Sequence, residues 1–253
     1  MIELVFDRWF TLERMTGPSR PSGLAQRGVP GHQVRDVPGK AECPPGLAVQ
    51  GSLLDLGDEA APGALGSSLR RTVLGDGAWI DIRPGWMTGA GALFDRLLRS
   101  VPWHAEQRPM YDRVVDVPRL LCFYPEGQAL PDLALEQARE ALSDHYREEL
   151  GEPLRTAGLC LYRDGRDSVA WHGDTIGRGA TSDTMVAIVS LGTPRALLLR
   201  PNGGGRALRH DLGHGDLIVM GGSCQRTWQH AVPKTARATG PRISVQFRPR
   251  GVR

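Results

Sequence analysis

The sequence predicts an α+β fold: a β-sandwich or a double-stranded β-helix (jelly roll), buttressed by helices that precede it. Three observations point there. Apolar residues recur at helical spacing in two stretches between residues 90 and 150. After Gly151 the period shortens to that of strands. The late apolar runs are brief, aliphatic or β-branched, and separated by Gly, Pro and Asp.

Residues 1–45 are rich in Gly, Pro, Ser and Arg without sustained periodicity, and read as a disordered or atypical N-terminal extension. The folded domain is expected over 46–253. "AWIDIRPGW" reads as a strand that ends in a turn. Ala90, Leu93, Phe94, Leu97, Leu98 and Val101 lie on one helical face, and Pro102 marks the end of that helix. Asp132 has the character of an N-cap for a second helix, with Leu135, Ala138, Leu142 and Tyr146 inward and an end near Leu150. The strands then follow as "TAGLCLYR", "MVAIVSLG", "ALLLR", "LIVM" and "ISVQFR", a core over about 155–250.

Composition narrows the class. A hydrophobic content of 40% supports a real core. No apolar run approaches the ~18 residues a membrane span needs. The N-terminus lacks the charged and apolar blocks of a secretory signal. Cys43, Cys122, Cys160 and Cys224 show no C-x-x-C spacing, so reduced, mostly buried thiols in a cytoplasmic protein are expected, and the protein is expected to be a monomer. The net charge is only +3, yet from Arg195 to Arg253 eleven Arg or Lys face two acids, a local surplus of nine. Clustered cations of this kind can form a footprint for phosphate backbones.

"AWHGDT" places His172 and Asp174 at i and i+2, which share a face on an extended strand. Downstream, "WQHAVPK" supplies His230, and Arg242 and Arg248 follow twelve and eighteen residues later. Two imidazoles and one carboxylate form the facial triad that holds non-haem Fe(II) with positions open for co-substrate and O₂. An arginine beyond the last ligand suits a dicarboxylate, because its planar fork grips a carboxylate with two hydrogen bonds. Histidines 32, 104, 145, 210 and 214 sit in no comparable constellation. Trp171 and Trp228, flanking the ligands, are expected to pack in the core.

Across residues 104–248 the chain resembles the AlkB-type 2-oxoglutarate and Fe(II)-dependent dioxygenases, which repair alkylated nucleic acids. "LYRDGRDSVAWHGD", "VAIVSLG", "LGHGDLIVMGG", "WQHAVPK" and "PRISVQFR" occur in the right order. The resemblance implies that His172, Asp174 and His230 bind iron and, with Arg248, carry the catalytic centre. It implies that Cys160, Tyr162, Arg242, Ser244 and Arg248 line the 2-oxoglutarate site. "RPMYDRVVDVPRL" falls where the family has its nucleotide-recognition lid, about 104–124, so Arg108, Tyr111, Arg113 and Arg119 are candidate substrate contacts. Three departures stand out. Cys160 replaces the first residue of an Asn-x-Tyr motif, Ser244 stands where Asn is common, and Ile176 occupies a position often acidic in repair members. The implied activity is oxidative demethylation of alkylated bases in single- or double-stranded DNA, extending to RNA, with release of formaldehyde, succinate and CO₂. The alternatives are the same chemistry on another class of substrate, or a non-catalytic nucleic-acid binder or sensor with a vestigial site.

Overall fold

The computed structural model describes residues 59–110, 113–236 and 240–252, with the backbone alone for 108–110 and 113–115. The expected extension over 1–45 and the start of the domain lie outside the described residues. A short pair, β1 (Ala61–Pro62) and β4 (Met87–Thr88), flanks the hairpin of β2 (Arg70–Gly75) and β3 (Ala78–Arg83). Helix α1 (Ala90–Ser100) follows, then the hairpin β5 (His104–Met110) and β6 (Arg113–Tyr124). Helices α2 (Leu133–His145) and α3 (Arg147–Leu150) lead into β7 (Thr156–Tyr162) and β8 (Val169–His172). The chain then forms β9 (Val186–Gly192), β10 (Arg195–Pro201), β11 (Leu208–Leu212) and β12 (Asp216–Gly222). It ends with the short helix α4 (Cys224–Thr227), β13 (Trp228–Val232) and β14 (Arg242–Arg248).

The strands make two facing sheets. The larger runs β2-β3-β12-β9-β14-β7-β6-β5, the smaller β11-β10-β13-β8, and every pairing is antiparallel. This is the expected jelly-roll architecture.

Period-two alternation sorts side chains between two cores. On β9, Ala187, Val189 and Leu191 face the helices while Val186 and Ile188 face the smaller sheet. On β12, Leu217 and Val219 oppose Ile218 and Met220 in the same way. Both faces are covered, so these strands read as continuous apolar runs instead of alternating ones. The helices cover the outer face of the larger sheet with Leu93, Phe94 and Leu97 of α1 and Leu135, Ala138 and Leu142 of α2. Each of the buried Leu and Phe side chains contributes about 1.5–3 kcal/mol by transfer from water.

Helix α1 ends where the sequence indicates. Asp132 caps α2 by accepting from the backbone N–H of Ala134, and it also pairs with Arg96 of α1, tying the two helices together. The second helix is shorter than expected. It stops at Tyr146, whose ring stacks on Trp79 and whose hydroxyl donates to buried Asp81 at 2.8 Å, and the chain restarts as α3. In the segment expected to form the lid, residues 120–124 pair with β7 as an integral strand of the larger sheet.

Candidate metal and co-substrate site

Strands β8 and β13 bring His172 and His230 opposite each other, and β8 carries a bulge that sets their aim. His230 pairs with His172 and Val232 with Val169, so two steps on β13 face three on β8. Val169 and His172 therefore both face the interior. Asp174 lies two residues beyond β8 and is buried. The imidazole centroids are 4.2 Å apart. Nε2 of His172 is 3.9 Å from Oδ1 of Asp174. One ligand atom from each of the three residues falls within 4.8 Å of the others.

The surroundings hold this triad in a metal-ready state. Nδ1 of His172 lies 2.9 Å from the carbonyl of Ala170, a contact that suits an Nδ1–H donor and leaves the lone pair on Nε2. The backbone N–H of Asp174 donates to Oε1 of Gln225, and Nε of Arg248 donates to Oδ2 of Asp174 at 2.6 Å. Gly173 is required between the ligands: a Cβ there would stand 2.5 Å from the carbonyl oxygen of Gln225. Burial pushes the His172 imidazole below its ordinary value, and pushes His230 down to about 3 with the help of neighbouring His172. Burial raises Asp174, but Arg248 and the two histidines outweigh it and hold the carboxyl well below the usual carboxylate range. Neutral imidazoles and an ionised carboxylate are the protonation states a metal requires. Two nitrogens and one oxygen in a facial set fit Fe(II).

The pocket beside the triad is built on β14. Arg242, Ser244, Gln246 and Arg248 alternate along its inner face, opposite Tyr162, Cys160, Gly158 and Thr156 of β7. Their neighbours Ile243, Val245 and Phe247 face the helices. Arg242 is almost wholly buried. Its Nε donates to Ser190 of β9 at 2.9 Å, its guanidinium lies 5.2 Å from the centre of the Tyr162 ring, and its Nη1 has no partner. Burial pushes this cation below its ordinary pKa. A buried guanidinium with an unsatisfied donor, beside a tyrosine and two serines, fits the distal carboxylate of 2-oxoglutarate. Arg195 approaches Tyr162 at 5.5 Å and donates to the carbonyls of Asp164, Asp167 and Pro233.

The structure brings His172, Asp174, His230, Arg248, Cys160, Tyr162, Arg242 and Ser244 into one pocket. Sequence reasoning missed Ser190, Gln225 and Gln246. Gln246 accepts from Arg248 and donates to Ser244 at 3.1 Å, so it links the metal end of β14 to the co-substrate end. Its signal was present in "RISVQFR", where every second residue is polar.

Arg119, a candidate substrate contact, points inward, donates to the carbonyl of Ser168 at 3.1 Å, and lies against Cys160 and Tyr162. Ile176 is half-buried on the loop that carries Asp174. Tyr111 and the side chains of Arg108 and Arg113 lie outside the described residues. Trp171 lies outside the core, its ring 4.2 Å beneath the guanidinium of Arg200, whereas Trp228 does pack against the inner core. Much of the late basic surplus is also internal. Arg195 and Arg242 are buried, and Arg248, Arg226, Arg209 and Arg250 pair with Asp174, Asp183, Asp211 and Glu126. A count of charges along the chain overstated the free cationic surface.

Residues 124–248 match the family model of the 2OG-Fe(II) oxygenase superfamily. Over 178 residues the chain is 31% identical to the alpha-ketoglutarate-dependent dioxygenase alkB homolog 3 of Bos taurus, covering 63% of this chain and 61% of that protein. Over 192 residues it is 30% identical to the DNA oxidative demethylase ALKBH2 of Arabidopsis thaliana, covering 61% and 60%. The chain thus spans about three fifths of the length of these curated relatives. A prolyl hydroxylase from Trichoplax adhaerens, solved with a hypoxia inducible factor peptide fragment, superimposes with a TM-score of 0.51 at 12% identity, over 67% of this chain and 82% of its own. That likeness shows a common fold alone. The triad, the pocket and the matched segment agree: residues 124–248 carry a 2OG-Fe(II) oxygenase domain, and the homology of the chain is to AlkB-type dioxygenases.

Proposed function

We propose that the protein is a 2-oxoglutarate- and Fe(II)-dependent dioxygenase that oxidatively demethylates alkylated bases in DNA, and by the same chemistry in RNA. The observation that carries this reading is the pairing of two features in one pocket: the His172–Asp174–His230 cluster and the unpartnered buried Nη1 of Arg242. Fe(II) bound with 2-oxoglutarate would couple O₂ cleavage to loss of CO₂, one oxygen atom entering succinate and the other an N-methyl C–H bond, after which the hydroxymethyl product releases formaldehyde and leaves N–H.

The protein's own residues bind, orient and exclude water. His172, Asp174 and His230 would hold the metal on one face. Arg242 and Ser190 would hold the distal carboxylate, and the hydrocarbon of Tyr162 would pack against the chain between the carboxylates. Burial raises the Tyr162 phenol, so it stays neutral beside them. Arg248 fixes Asp174 and Gln246 together and keeps the carboxylate ionised. A base within a duplex must be extruded to reach such a pocket, or taken from a single strand. A reducing cytoplasm belongs to the same reading, supported by the free, buried thiols of Cys122, Cys160 and Cys224, and so does a monomeric state.

The internal placement of so many arginines favours one competing reading, the same oxidation on a substrate other than nucleic acid. Methylated oligonucleotides incubated with Fe(II), 2-oxoglutarate and O₂ separate the two. Equimolar succinate and formaldehyde support the proposal. Succinate formed at the same rate with and without oligonucleotide refutes it.

A further inference from the structure

Resting on the nucleic-acid reading above, we propose that the base oxidised here is electrically neutral and presents a carbonyl oxygen beside its alkylated nitrogen. Arg119 carries the argument. It enters the pocket from β6, next to Cys160 and Tyr162, and close enough to His172 for its charge to be felt there. One Nη1–H is satisfied by the carbonyl of Ser168 and the guanidinium lies within hydrogen-bonding reach of Cys160, but Nε is buried without an acceptor. A buried donor of this kind is seldom left unmade unless a ligand completes it.

The charge around the metal centre points the same way. Besides the imidazoles themselves and the Ala170 carbonyl, the main charged groups acting on His172 and His230 are Asp174, Arg248 and, for His172, Arg119. Asp174 is the one anion among them, and Arg248 already bonds it. Fe(II), Arg119, Arg242 and Arg248 set against Asp174 and a dianionic co-substrate leave two positive charges in excess. Glu106 of β5 is the acid whose field reaches Arg119, the weakest of the main influences on it. Setting it against Arg119 still leaves one. Ile176, on the Asp174 loop, adds no charge.

Methylation at N1 of adenine or N3 of cytosine makes the ring a cation, which would enter a water-poor site already positive. Methylation at N3 of thymine or N1 of guanine leaves the ring neutral, with a carbonyl flanking the methylated nitrogen. That oxygen supplies the acceptor Nε of Arg119 lacks. The 3-methylcytosine ring shares such a carbonyl at C2 and is set apart by its charge alone.

The test compares otherwise identical single-stranded oligonucleotides carrying 1-methyladenine, 3-methylcytosine, 3-methylthymine or 1-methylguanine. Binding is read by fluorescence anisotropy on protein loaded with Mn(II) and N-oxalylglycine, and turnover by formaldehyde release. The neutral pair should be favoured by about tenfold or more in both readouts. Arg119→Gln should bring the ratio towards one, and Ile176→Glu should move it towards the cationic pair. A wild-type preference for the cationic bases overturns the proposal while leaving the demethylase reading intact. So does an Arg119→Gln protein whose ratio is unmoved but whose affinity for 2-oxoglutarate drops, which would assign Nε to the co-substrate. Absence of binding and turnover for all four bases, with 2-oxoglutarate still consumed, overturns both.

Discussion

Replacing Arg242 with methionine should make the ligand-free protein more stable and the liganded protein less so. Arg242 is a buried cation with one donor unmade, near a second cation, Arg195, and among its described contacts no carboxylate faces it. Exchanging buried ionic groups for apolar ones of similar volume is often neutral or stabilising, by about 1–4 kcal/mol. Losing the bond to Ser190 removes about 1 kcal/mol. The net expectation without ligand is therefore a gain of about 0–3 kcal/mol, or a rise in Tm of up to about 10 °C for a domain of this size. Co-substrate reverses the order. Truncating one partner of a buried charge pair costs about 2–5 kcal/mol of affinity, which is roughly thirtyfold to several-thousandfold in Kd. At 2-oxoglutarate concentrations about a hundred times the wild-type Kd, the wild type gains about 2.7 kcal/mol and the variant at most about 0.9 kcal/mol. Thermal unfolding with and without Mn(II) and 2-oxoglutarate, together with calorimetric titration, measures both halves. The two melting curves should cross over as ligand is added. A ligand-free Arg242→Met protein destabilised by more than about 2 kcal/mol, or one that binds 2-oxoglutarate within threefold of wild type, would refute this account of the pocket.

His172→Ala, Asp174→Ala or His230→Ala should each abolish turnover and Mn(II) binding while near-ultraviolet circular dichroism stays native-like; full iron-dependent activity in Asp174→Ala would overturn the triad. Gln225→Leu removes the acceptor for the Asp174 N–H and should weaken metal binding by about 10–100-fold, read by metal titration, with co-substrate affinity at saturating metal nearly unchanged. Acid should destabilise the metal-free protein. Unfolded His172 and His230 take up protons near pH 6.5 while the folded His230 resists until about pH 3, so stability falls as the pH drops through that window. Denaturant titrations between pH 7 and 4 should show the slope, and His230→Gln should reduce it. Gly173→Ala should lower stability and metal affinity together, since the new Cβ must displace the Gln225 carbonyl.

Much of this was legible in the chain, for reasons specific to each part. Helix α1 was readable because Leu93, Phe94 and Leu97 fall on one face and Pro102 closes it. The triad was readable because ligand-type residues are rare enough that their order along the chain carries information. Gln246 was hidden because an amide has no titratable or metal-binding signature, and only its place in the alternation of β14 marks it. The inward aim of Arg119 was hidden because a sequence shows the charge of an arginine but not which side of a sheet it enters. The basic surplus misled for a related reason: Arg195 and Arg242 look like surface charge until the facing carbonyls and hydroxyls appear. Tyr146 ended α2 early through contacts with Asp81 and Trp79, more than sixty residues away in the chain, beyond the reach of any local pattern.

The extra residue in β8 makes the aim of His172 a matter of length before identity. Three residues cover a distance that two cover on β13, and the surplus swings the imidazole to the same side as Val169. Shortening the segment between them by one residue would restore strict alternation and turn the ring outward, towards Trp171 and Arg200, with every ligand still present in the chain. A change of side chain at Ala170 leaves that geometry alone. Homologous segments that preserve the histidine and aspartate but lose one residue ahead of them would thus spell the motif correctly and hold no metal.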